Sequence, residues 1–192
     1  MGRKYHFRPD KTRPNLLKYL IPTKNQRKLA LKWSLYTLFL VLLSVVQDVL
    51  LSRVRIFGAT TELLPCAIFV ICILEGSQTG SVFALIAALC YLFSGTAPGV
   101  YSMVAITFLG VGSTLLRQIF LQEGFSSCML CTAGATVLYQ IANFVFGLLL
   151  GLTVPTRFYG FFITAVLSLA VVPLMYPVMK AIYRIGDQVW KE

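Results

Sequence analysis

Histidine occurs once in this chain, at His6, and acidic residues number only seven: Asp10, Asp48, Glu62, Glu75, Glu123, Asp187 and Glu192. An enzyme needs groups that titrate or attack within one shared site. Here no carboxylate pair shares a helix face in the sequence pattern, and no nucleophile has a base nearby. A phosphate-binding loop of the GxxxxGK[ST] type is absent, so the sequence gives no sign of catalysis. The five cysteines, Cys66, Cys72, Cys90, Cys128 and Cys131, all lie in apolar runs, where cysteine behaves as a small hydrophobe. Cys128 and Cys131 have a CxxC spacing, but no second pair follows and the one histidine is far away. No metal site, redox centre or cofactor is expected. A cleavable signal peptide is not evident either, because the first apolar run begins near Trp33 and no A-x-A site follows it.

Charge is also scarce, at 12% of residues, while 57% are hydrophobic and the mean hydropathy is +0.78. A soluble domain of 192 residues has too little interior to hide that much apolar surface. The composition therefore implies an integral membrane protein with a single membrane domain. The net charge of +10 is concentrated: residues 1–32 hold ten of the 17 Lys and Arg and one acid, Asp10. Basicity concentrated in a tail excludes a nucleic-acid-binding fold and suits either a plain topological anchor, the preferred reading, or docking at anionic lipid headgroups. Leu16, Leu17, Tyr19, Leu20 and Ile21 give that tail a small apolar patch.

Six apolar runs follow: Trp33 to Leu51, Leu63 to Leu74, Ser81 to Phe93, Val100 to Leu116, Phe125 to Leu152 and Phe158 to Tyr183. The expected architecture is an all-α polytopic bundle of about six transmembrane helices. Residues 1–32 form a basic cytoplasmic tail, 33–185 the membrane domain and 186–192 a short cytoplasmic C-terminus. The second and third runs are short and read either as two thin spans or as one re-entrant hairpin; two spans are preferred, because flanking residues can lengthen both helices. Pro173 and Pro177 are expected to kink the sixth helix. With six crossings and the N-terminus inside, fourteen basic residues fall on the cytoplasmic side. Only Arg53, Arg55 and Arg157 fall outside. The positive-inside rule thus puts both termini in the cytoplasm.

The stretch from Glu75 to Gly99 stands out. Glycine clusters bracket a short apolar run, and Gly80, Ala84, Ala87 and Tyr91 fall within about 60° of one another on a helix. A face without bulk lets another backbone approach, either within the bundle or from a separate subunit. Asp48 is the acid placed nearest the hydrocarbon, and reads equally as a buried polar group or as a wet interface residue. Gln47 beside it can hydrogen-bond across helices.

Three features resemble the MreD family of bacterial rod shape-determining membrane proteins. The first span ends in Leu43-Ser44-Val45-Val46-Gln47. A loop then leads to Glu62-Leu63-Leu64. A glycine-spaced segment opens with Gly76 and Gly80 and closes with Ser94, Gly95 and Gly99. The resemblance covers roughly Val41 to Arg184. The chain departs from it at Tyr91, where the family often has an aspartate, and at Thr61-Glu62, where it often has Pro-Asp or Pro-Asn. The resemblance implies a fold similar to the substrate-binding subunits of energy-coupling-factor transporters and a place in the bacterial plasma membrane. It also implies a non-enzymatic role in cell elongation. The implied partners are an MreC-like bitopic protein, an MreB-like filament, a SEDS glycosyltransferase and a class B transpeptidase, besides membrane lipids. Gln47, Gly76, Gly80, Ala84, Ala87, Tyr91, Gly95 and Gly99 are the residues expected to serve helix packing or partner contact. The alternative expectation is a vitamin-transporter binding subunit, although the first span lacks that group's Ala-x-x-x-Ala pattern.

Overall fold

The computed structural model describes residues 24–51, 53, 59–95, 97–120 and 124–187. The basic tail up to Thr23, Arg55 and Gly58 of the first loop, Glu123 and residues 188–192 lie outside the described residues. Every regular element described is helical. Helix α1 spans Lys24–Val46 and continues as a π-helical turn, Gln47–Leu51. Helices α2 (Leu63–Glu75), α3 (Ser77–Phe93), α4 (Val100–Phe120) and α5 (Phe125–Leu149) follow. A 3₁₀ turn at Pro155–Arg157 leads into α6, Phe158–Asp187.

The centre of the molecule is α2, not the glycine-bracketed α3 that the sequence pattern emphasises. Every residue from Leu63 to Leu74 is buried. A helix that is apolar on all sides belongs inside, and α2 packs against α1, α3, α4, α5 and α6. Thirteen residues at 1.5 Å each give it a length of about 20 Å, short of the roughly 30 Å of a bilayer's hydrocarbon. Enclosure by its neighbours explains how so short an apolar helix is accommodated.

Around α2 the other helices form a ring in the order α1, α6, α5, α4, α3. Among the described residues, three segments are long and apolar enough to cross a membrane: Gln26–Val49, Phe125–Leu149 and Pro155–Ile185. The chain is therefore a helical membrane protein by length and hydropathy. Its outer surface agrees, since large apolar side chains such as Leu38, Leu42, Phe108, Leu130, Phe162 and Leu174 stand exposed around the ring. Pro173 and Pro177 both lie within the continuous 30-residue α6.

Helix α1 begins at Lys24, earlier than the apolar run at Trp33 suggests. The difference has a physical cause at Lys32, which is 6% exposed and ion-paired inside the bundle. The contact of Lys32 with Tyr183 puts the start of α1 and the end of α6 together. We call this the terminal end and the opposite one the far end.

Candidate functional site

Helix α2 is buried from Leu63 to Leu74, so the free backbone groups of its first turn need partners from other helices. At the far end Gln47 supplies them. Its Oε1 accepts from the backbone N–H of Leu63 at 2.9 Å and of Leu64 at 3.1 Å. The N–H of Glu62 donates to Ser168 Oγ on α6 at 3.0 Å. Gln47 is thus a helix cap delivered from a neighbouring helix, which the linear pattern does not reveal. Asp48, next in the π-turn, is exposed.

At the terminal end α2 finishes with Glu75, an acid where the helix dipole is already negative. Lys32 Nζ reaches Glu75 Oε2 at 2.7 Å, with both side chains buried. The ammonium also lies 4.8 Å from the Tyr183 ring centroid and 6.0 Å from that of Trp33. A cation–π contribution and close ion pairing together offset the cost of burial.

The chain reverses from α2 into α3 through Gly76 alone, at φ +85°, a conformation that side-chain-bearing residues rarely adopt. Gly95, at φ +76°, serves the turn after α3, and Gly99 lies against the ring of Tyr101. Gly80 presses α3 on α2: a Cβ there would stand 2.7 Å from Cys72 O and 3.1 Å from Thr114 Cγ2. A Cβ added at Gly110 of α4 would meet the Cβ of Ala84 at 2.8 Å. Ala84, Ala87 and Tyr91 are all buried. The face without bulk therefore points into the bundle.

Where the ring passes from α3 to α1, two arrangements follow one another. Near the terminal end Trp33 and Tyr36 of α1 pack on Phe83 of α3, with ring centroids 5.5 and 6.1 Å apart. Beyond Phe83 the helices part, leaving a groove of about 250 Å³. Leu40, Val41 and Ser44 line one side, Ile86, Ala87 and Tyr91 the other.

A larger cavity, about 670 Å³, opens among the far-end loops between α5 and α6. Glu62, Gln140, Thr153, Arg157, Tyr159 and Thr164 are among its walls. Gln140 Nε2 donates to Glu62 Oε2 at 3.0 Å. Glu62 stands in the connection before α2, outside the helices. Burial raises its carboxyl to about 7, and the Gln140 amide offsets part of that rise. Among the described residues no cation pairs with it. Gln140 is 3% exposed and its Oε1 is buried without a hydrogen-bond donor. Thr153 Oγ1 is in the same condition.

Sequence reasoning missed Lys32, Glu62 and Glu75, which look like boundary residues when read linearly. Gln140 and Asn143 did carry a signal, because two amides three residues apart in an apolar run share one helix face. Among the described residues, no group of three His, Cys, Asp or Glu comes together in a way that would hold a metal ion. Cys128 and Cys131 lie one turn apart on α5, both as free thiols. No family model, curated protein or solved structure matches this chain.

Proposed function

We propose that the protein is a non-enzymatic helix-docking component of the machinery that elongates rod-shaped bacterial cells. In this reading it crosses the plasma membrane six times, with both termini in the cytoplasm. The observation that carries the reading is the groove between α1 and α3. It is the seam at which the ring around α2 parts, it is apolar, and Ser44 and Ala87 keep its walls low. Those properties suit one apolar helix of a bitopic partner of the MreC kind, because helices associate in lipid through close packing over small residues. The resemblance over Val41 to Arg184 supplies the biological context. A helix seated there would link an MreB-like filament on one side to a SEDS glycosyltransferase and class B transpeptidase on the other.

Val41 and Ile86 line the groove and are 56% and 52% exposed, so enlarging them fills the seam without disturbing the core. Val41→Trp and Ile86→Trp are each expected to leave thermal stability in detergent unchanged. Each should reduce co-purification of the MreC-like partner at least tenfold, with rounding of cells that depend on the variant. Retained co-purification in both variants would sink the docking reading.

A second reading, a substrate-binding subunit of a vitamin transporter, is favoured by the far-end cavity. Deletion then abolishes uptake of one vitamin and leaves rod shape intact, whereas the first reading gives rounding with normal uptake.

A further inference from the structure

We infer that the far-end cavity binds a small zwitterion, an amino acid or short peptide, with its ammonium at Glu62 and its acid group at Arg157. The acidic part of the lining is Glu62. Glu62 offers a carboxylate of which one oxygen takes the Gln140 amide, while the other has no hydrogen-bond partner among the described residues. A buried acceptor left without a donor costs free energy, and a ligand or water carrying N–H or O–H groups relieves it. A primary ammonium satisfies that oxygen and supplies the countercharge that Glu62 lacks among the described residues.

The mouth has the opposite character. Arg157 is exposed there, and the exposed Thr156 lines the same cavity. A guanidinium with hydroxyl donors suits a carboxylate. Phe161 and Ile163 add apolar wall to the same cavity. An acid, apolar wall and an exposed base in one cavity match the groups of an amino acid or dipeptide. A volume of about 670 Å³ lies within the range usual for small-molecule sites and exceeds what a single ammonium ion needs. The site does not involve the α1–α3 groove, so it is independent of the docking reading, and it gives the cavity on which the second reading draws a zwitterion as its ligand.

The test uses the full-length protein in detergent and follows thermal unfolding with a panel of free amino acids and dipeptides at millimolar concentration. Matched probes separate the groups: L-tryptophan carries both charges, tryptamine only the amine, indole-3-propionate only the acid. At least one zwitterion is expected to raise Tm by several degrees, while its single-charge analogues do not. Glu62→Gln and the exposed Arg157→Ala should each weaken binding of that zwitterion at least tenfold. Because Arg157 is on the surface, its variant keeps the assay meaningful if Glu62→Gln folds poorly. The inference is overturned if no panel member shifts Tm, if an amine-only probe stabilises equally, or if Arg157→Ala binds unchanged. Such a failure leaves co-purification through the groove untouched, and loss of co-purification leaves zwitterion binding untouched.

Discussion

Lys32 shows how one residue changes its meaning between sequence and structure. In the sequence it closes a basic tail. In the structure it is buried, and it neutralises the acid at the end of the central helix. Removing one partner of a buried pair strands the other charge, at a cost of about 3–5 kcal/mol, whereas replacing both is often nearly neutral. Lys32→Met is therefore expected to lower the midpoint of thermal unfolding in detergent sharply. Adding Glu75→Gln to that variant should recover most of the loss. If Lys32→Met alone unfolds like the parent, the pair contributes nothing to the fold. Gln47 is a second case: its type and its place near the end of the first run were legible as an interhelical hydrogen-bonding group, but its target, the N–H groups of Leu63 and Leu64, was not.

Between elements, contact is governed by where backbone meets backbone. The spacing of Gly80, Ala84 and Ala87 announces a helix face without bulk, and α3 lays that face inward, against Cys72 of α2 and Gly110 of α4. Gly112, two residues further along α4, has open space where a Cβ would sit. Two glycines of similar sequence context thus predict opposite outcomes. Gly80→Ala forces a methyl against a carbonyl oxygen and should destabilise by about 1–3 kcal/mol as overpacking, and Ala84→Leu should do the same. Gly112→Ala should be neutral or stabilise by about 0.5–1 kcal/mol, because alanine is the better helix residue. Thermal unfolding of the three variants decides it; equal effects at Gly80 and Gly112 would mean that α3 does not approach α2 this closely. The short second run is the element that hydropathy alone described least well. Its length left a thin span and a hairpin both open, and only the surrounding five helices make it a core.

At the scale of the whole molecule, the described chain begins and ends at the same end of the bundle, as the contact of Lys32 with Tyr183 shows. Combined with the concentration of basic residues before Trp33, this arrangement predicts that the terminal end faces the cytoplasm. Val154 lies exposed in the far-end loop and Gln26 exposed near the start of α1. A membrane-impermeant maleimide should label Val154→Cys in intact cells and Gln26→Cys only after lysis. Labelling of Gln26→Cys in intact cells would invert the topology.

The sequence by itself determined the class of the protein. Fifty-seven per cent hydrophobic residues in long runs dictate helices in lipid, since a bilayer leaves few other ways to satisfy the backbone. It also determined the approximate helix positions and the small-residue face of α3, because both follow from local periodicity. Which helix is central was decided only by the tertiary structure, and so were the partners of the buried polar groups. Lys32 and Glu75 are 43 residues apart, and Glu62 and Gln140 are 78 apart. No local pattern encodes such pairs; they exist because α2 is enclosed by the other helices, and its ends find their charges and hydrogen bonds on whichever helices enclose it.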